Sequence, residues 1–236
     1  MTDTRPAPVG AILREFAAFL LRPCLLAPSG LRAPGAWRHL GIMVALHVAV
    51  LFGLLGPLIG FWQASFALPS PDAFGKVPPG LLAPIAVLAA PLLEEIAFRG
   101  WLTGRARALW PLACALGGGG LLYAGTQGLG PLAVAGGMAA LAIAALAGWL
   151  ALRKRGAPGW FAALFPAIFY LSTAAFALMH VANYPHFSAL ALPLILPQLW
   201  GGLVWGFLRM RIGLTASILA HAIANSAALT LAMLVS

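Results

Sequence analysis

Residues 84–103 read PIAVLAAPLLEEIAFRGWLT. An apolar run from Pro84 to Leu93 ends on two adjacent carboxylates, Glu94 and Glu95. Arg99 follows four residues after Glu95, and apolar side chains resume at once. Taken from Leu81 to Trp101 the stretch matches the roughly 20 residues a helix needs to cross the hydrocarbon of a bilayer. The rest of the chain agrees: 62% of its 236 residues are hydrophobic and 8% are charged, against roughly 25% charged in a soluble globular chain. A soluble fold of this length has too little interior to hide that much apolar surface. The fold class expected is therefore all-α, a polytopic helical membrane protein.

Working outward from the second span, six further stretches have the same length and character, separated by Gly, Pro or charge. They run approximately from Leu40 to Trp62, Ala108 to Thr126, Pro131 to Leu152, Trp160 to His180, Ser188 to Leu208 and Leu214 to Val235. Residues 1–38 form a cytoplasmic or interfacial N-terminal segment in which Phe16 to Leu26, broken by Arg22 and Pro23, reads as an interfacial helix. Residues 39–236 read as one transmembrane domain. Seven spans place alternate loops on opposite sides. All 14 basic residues except Lys76 then fall on one side, from Arg5, Arg14, Arg22, Arg32 and Arg38 to Arg105, Arg107, Arg153, Lys154, Arg155, Arg209 and Arg211, with Arg99 closing the second span. By the positive-inside rule that side is cytoplasmic, so the amino terminus lies inside and the carboxyl terminus outside, in a multi-pass protein of the cell membrane. The net charge of +9 thus reads as orientation, and no nucleic-acid partner is expected. Cys24 and Cys114 stand alone and read as packing residues. The Gly117 to Gly120 run and the Gly202, Gly206 spacing read as places of close helix contact.

An ionisable group near the centre of a membrane helix costs at least about 2.5–3.5 kcal/mol on insertion scales, so each one asks for a partner or a task. Glu95 and Arg99 share one face of the second span and are spaced for an ion pair. Glu94 points about 100° away and is left free, a credible general base. The alternative is a structural ion cluster formed by all three, although a structural lock needs only one carboxylate. In the seventh span His221 and Asn225 face the same way, and both can donate hydrogen bonds to a developing oxyanion. Phe176 and His180 share a face of the fifth span, where the ring can wall one side of a site. His47 has no polar residue at helical spacing and reads as packing, and His186 reads as a solvated loop residue.

Glu94-Glu95-x-x-x-Arg99, Phe176-x-x-x-His180 and His221-x-x-x-Asn225, in that order on hydrophobic helices, resemble the three motifs of the CPBP family of type II CAAX prenyl endopeptidases and their bacterial Abi relatives. Phe98, Gly100 and Leu102 also resemble the flank of the first motif, and the resemblance spans roughly Pro84 to Val235. It implies that Glu94, with His180, activates a water for attack on a scissile carbonyl. It further implies that Glu95 and Arg99 orient the site and that His221 and Asn225 stabilise the oxyanion. Two hydrophobic spans stand between Glu94 and His180, and the expected boundaries put His180 at the outer end of the fifth span. For the two residues to meet, the fifth span must begin deeper than Trp160, near Pro166, or its boundaries must lie elsewhere.

The function expected is an intramembrane endopeptidase of glutamic type acting on a membrane-associated protein or peptide, within the lipid bilayer. Two alternatives are a proton-coupled transporter or channel using the same Glu and His residues as a relay, and a non-proteolytic immunity or scaffold protein with the same fold. No cofactor is expected. Zinc is the alternative, since two Glu and two His make an acceptable ligand set even without an HExxH pair.

Overall fold

The structure is a computed structural model that describes residues 7–72, 77–185 and 188–235; Arg5, Lys76 and His186 lie outside the described residues. Among these every regular element is a helix, with no strand. In chain order the elements are α1 (Val9–Leu21), α2 (Ala36–Val50), α3 (Gly56–Ser65), α4 (Pro79–Ala83), α5 (Ala90–Arg99), α6 (Ala106–Thr126), α7 (Pro131–Ala151), α8 (Gly159–Met179), α9 (Leu196–Arg211) and α10 (Leu214–Val235). Among the described residues seven helices are long and apolar enough to cross a membrane: Ala36–Ser65, Gly80–Arg99, Ala106–Thr126, Pro131–Ala151, Gly159–Asn183, Ala189–Arg211 and Leu214–Leu234. They match the seven stretches expected from sequence to within a few residues at each end.

Two of the spans contain a π-helical turn, and in each case a proline explains it. Leu51–Leu55 joins α2 to α3 just before Pro57, and Pro84–Ala89 joins α4 to α5 just before Pro91. A proline inside a helix lacks an N–H and crowds the carbonyl four residues back, and a wide turn relieves that crowding by taking in one extra residue. The shifted ladder is visible in both places: the Gly56 N–H donates to the Leu51 carbonyl and the Ala90 N–H to the Ile85 carbonyl, each five residues back.

The chain divides into two compact units. One comprises Met1–Arg99 and Phe165–Ser236, the other Gly100–Leu164. In the first unit α1 begins at Val9, well before Phe16, and stops at Leu21 because Arg22 precedes Pro23 and leaves the helical conformation. Its buried side chains Ile12, Phe16 and Phe19 follow a helical period. Phe16 lies 5.2 Å from Phe207 of α9, and Phe19 lies 5.1 Å from Phe169 of α8. Glu15, at the edge of that buried face, pairs with Arg211 at 2.7 Å and His39 at 3.3 Å. Helices α8 and α9 touch where α9 has no side chain. A Cβ at Gly206 would stand 2.6 Å from Phe169, and one at Gly202 would stand 2.9 Å from Thr173.

In the second unit α6 and α7 form an antiparallel pair. Gly117 and Gly118 face Leu141 and Met138 of α7, whereas Gly119 and Gly120 have open space beside them, so only half of that glycine run serves helix contact. The Trp110 Nε1–H donates to the Ala144 carbonyl at 2.7 Å over Gly148, where any Cβ would collide with the indole. The first six residues of α8 belong to this unit and the rest, from Phe165, to the first; the span itself begins at Gly159 and runs on to Asn183, so it does not start near Pro166 as expected, and His180 lies before its end because the helix continues past it.

Candidate active site

Along α5 the inward positions are Pro91, Glu95 and Arg99, four residues apart and on one stripe. Glu94 is turned off that stripe, its side chain 21% exposed against 0% for Glu95. The buried carboxylate is fully occupied. Glu95 Oε1 accepts from Arg99 Nη1 at 2.6 Å and from His221 Nδ1 at 3.0 Å, and Oε2 accepts from the Ser217 hydroxyl. An ionised group in so dry a place is tolerable only when paired and hydrogen-bonded in this way. The guanidinium of Arg99 lies 4.0 Å from the centre of the Phe176 ring, and a Cβ at Gly202 would stand 3.2 Å from its Nη2. The end of α5 is also held: Arg209 Nε donates to the Arg99 carbonyl at 2.7 Å, and the Ser172 hydroxyl donates to the Phe98 carbonyl at 2.8 Å. These are carbonyls that a helix terminus leaves without an intrahelical partner.

His180 sits where α8 tightens into a 3₁₀ turn, His180–Asn183. Its Nδ1 lies 2.8 Å from the Phe176 carbonyl. A carbonyl only accepts, so Nδ1 carries the proton, and the neutral ring presents an Nε2 lone pair. That Nε2 lies 3.8 Å from Glu94 Oε2. The same logic holds for His221, whose Nδ1 faces the Glu95 carboxylate and whose Nε2 lies 3.7 Å from the same Glu94 oxygen. Glu94 Oε2 is itself buried, with no hydrogen-bond donor among the described residues. Two imidazole nitrogens and one carboxylate oxygen thus converge without a proton donor of their own when both rings are neutral. Among the described residues no group of three or more His, Cys, Asp or Glu side chains is arranged to hold a metal ion.

The rings around this point fix the imidazoles. Trp205 of α9 stacks on His221 with centroids 3.8 Å apart, and Phe176 lies 4.8 Å from His180 and 5.9 Å from His221. His47 is buried behind Trp205, 5.3 Å from it. Asn225 directs its carboxamide nitrogen to the Ala86 carbonyl at 2.8 Å.

Sequence reasoning named Glu94, Glu95, Arg99, Phe176, His180 and His221, and the fold brings these six together. It missed Ser217, Trp205, Arg209 and Ser172. Ser217 had a signal, standing four residues before His221 on the stripe that continues to Asn225. Ser172 had the same signal, four residues before Phe176 on the stripe that continues to His180, whereas Trp205 and Arg209 had none, because they reach the site from α9, which carries no motif.

A sequence model of the family described as type II CAAX prenyl endopeptidase, Rce1-like, matches residues 76–165 and 151–227. The matched segments contain all seven residues of the three motifs. No curated protein and no solved structure matches the chain.

Proposed function

The chain belongs to the Rce1-like family of type II CAAX prenyl endopeptidases, and on that premise we propose that it is a glutamic-type intramembrane endopeptidase in which Glu94 drives water onto a peptide bond of a membrane-associated protein or peptide. The observation that carries this reading is the convergence of His180 Nε2 and His221 Nε2 on Glu94 Oε2, at 3.8 and 3.7 Å.

A water donating one hydrogen to Glu94 and the other to His180 Nε2 has its remaining lone pairs free for a carbonyl carbon. As its oxygen forms the new C–O bond, Glu94 takes the proton and the carbonyl electron pair moves onto oxygen. Glu94 then passes the proton to the amide nitrogen, the carbonyl re-forms as the C–N bond breaks, and the products are a carboxylic acid, which keeps the water's second proton, and an amine. For the oxyanion, His221 donates from Nε2 when its ring is protonated, with the Glu95 carboxylate at Nδ1 as counter-charge. One such donor is worth about 2.7–4 kcal/mol in the transition state. Glu95 serves as an anchor, held by Arg99 and Ser217 and holding His221 in turn, in the manner of a carboxylate that fixes an imidazole tautomer.

The test is cleavage of a membrane-embedded peptide by the purified protein in liposomes. Glu94→Gln keeps the shape and hydrogen-bonding reach of the side chain and removes its basicity, so it should insert at normal abundance and fail to cleave. Cleavage at the unmodified rate removes Glu94 from the mechanism.

A further inference from the structure

The wide turn Pro84–Ala89 leaves a backbone acceptor without its partner. In a turn of this kind the carbonyl of residue i receives the N–H of residue i+5, as Ile85 does from Ala90. The next carbonyl is that of Ala86, and its i+5 residue is Pro91, which has no N–H. An unpaired backbone carbonyl in a membrane interior costs several kcal/mol unless something else donates to it. Asn225 of α10 does so, Nδ2 to Ala86 O at 2.8 Å.

That bond belongs to a longer seam. Ser217, His221 and Asn225 stand four residues apart on one stripe of α10, and all three reach the segment 86–95. Ser217 and His221 hold Glu95, and Asn225 holds Ala86. Two fixed points thus determine how α5 sits against α10, one at the carboxylates and one at the wide turn. The turn also decides which carboxylate goes where. It takes in one residue more than an α-turn, so everything after it is rotated by one residue, roughly 100°. With an ordinary α-turn in its place, Glu94 would take the buried position of Glu95 on the stripe, and Glu95 would move off it.

We propose that Asn225 is a positioning residue: its carboxamide supplies the hydrogen bond that Pro91 denies to Ala86, and by holding the wide turn it keeps Glu95 on Arg99 and Glu94 on His180. This rests on the reading of Glu94 as the base, and it moves Asn225 away from the oxyanion role that the motif alone implies. The carboxamide acts on the reaction through the rotation of α5.

The experiment uses the full chain in lipid bilayers. Solid-state NMR of protein labelled with carbonyl-13C alanine and 15N valine selects the three alanine carbonyls that precede a valine, those of Ala49, Ala86 and Ala133, and the one that Val87→Ile removes from the spectrum is Ala86. Asn225→Ala should shift that resonance upfield as its hydrogen bond is lost. Adding Pro91→Ala, which restores an N–H at residue 91, should shift it back. In parallel, Asn225→Ala should lower kcat about 100-fold, the order expected for a misplacement near 1 Å, with KM nearly unchanged. In the Pro91→Ala background the same substitution should cost less than about threefold, because the two changes act on one bond. An equal loss of kcat in both backgrounds assigns Asn225 to the oxyanion and overturns the proposal, as does an Ala86 resonance that does not move. If Pro91→Ala is itself inactive, the Ala86 resonance decides alone. That readout needs no catalysis, so failure of Glu94 as the base, seen as cleavage by Glu94→Gln, stays distinguishable from failure of this assignment.

Discussion

The indole of Trp205 lies flat on the imidazole of His221, 13° from parallel with ring centroids 3.8 Å apart. Trp205 also meets His47, 5.3 Å away, and its ring is 5.7 Å from the Arg99 guanidinium. The stack and the Nδ1 bond to Glu95 together define the plane and tilt of His221, and so the direction of its Nε2.

Replacing that indole tests how much of the activity depends on the stack. Aromatic pairing is worth about 0.5–1.5 kcal/mol beyond burial, so Trp205→Phe should lower kcat roughly 2- to 10-fold at normal abundance. Trp205→Ala, which opens a cavity as well, should lower both abundance and kcat. Equal activity for Trp205→Phe and the unmodified protein, together with full activity for Trp205→Ala, shows the stack to be dispensable.

Breaking the buried pair should injure the fold as well as the chemistry. Glu95→Gln leaves Arg99 charged and without its carboxylate, and Arg99→Ala leaves Glu95 with only Ser217 and His221. Removing one partner of a buried pair typically costs about 3–5 kcal/mol. Both variants should therefore show reduced abundance and earlier thermal unfolding in detergent, where Glu94→Gln shows neither. Unchanged melting for Glu95→Gln and Arg99→Ala counts against the pair as the anchor of the site.

Gly202 should be intolerant for a reason visible in its surroundings. A Cβ there meets Thr173 at 2.9 Å and Arg99 Nη2 at 3.2 Å, so Gly202→Ala either spreads α8 from α9 or displaces the guanidinium. Overpacking of this kind costs typically 1–3 kcal/mol, and the expected result is lower thermal stability and lower kcat. Gly120→Ala has open space beside it and serves as the control that should change neither. Equal behaviour of the two variants removes the steric argument.

How much of this was legible in the sequence depended on how far apart in the chain the interacting groups stand. The seven spans were visible because length and apolarity are local properties. The Glu95–Arg99 pair was visible because both residues sit on one helix at a spacing with a known geometry. His180 came with its motif, but the proton on its Nδ1 is fixed by the Phe176 carbonyl, which no pattern of side chains reveals. Pro91 announced a disturbed helix, yet neither the wide turn that absorbs it nor the rescue by Asn225, from the last helix of the chain, follows from local sequence. The N-terminal helix was misjudged in extent. The expected helix was Phe16 to Leu26, whereas the chain is helical over Val9–Leu21, where Ile12, Phe16 and Phe19 bury one face together.

The topology carries a prediction of its own. Arg153, Lys154 and Arg155 are exposed beyond the end of α7, and seven spans put them on the side of the amino terminus. Reporter fusions after Arg155 and at the carboxyl terminus should give opposite locations, with the former cytoplasmic. The same location for both means that the number of crossings is not seven.

The last prediction separates the two nitrogens of His180. Nδ1 anchors the ring to the Phe176 carbonyl at 2.8 Å, and Nε2 is the atom that faces Glu94. An asparagine carboxamide reaches the position of Nδ1 but not that of Nε2, so His180→Asn keeps the anchor and removes the acceptor. It should insert normally and lose activity by about 10²–10⁴-fold, the usual contribution of a positioned acid or base. His180→Gln places its carboxamide near Nε2, loses the anchor, and should retain more activity than His180→Asn. Substantial activity in His180→Asn shows that water is not held by Nε2. A metal mechanism makes a different forecast for the unmodified protein: loss of cleavage with a membrane-permeant chelator and recovery on adding zinc. That pattern would turn Glu94 and His180 from water-activating groups, and His221 from an oxyanion donor, into ligands, whereas cleavage insensitive to chelator leaves the carboxylate of Glu94 as the base.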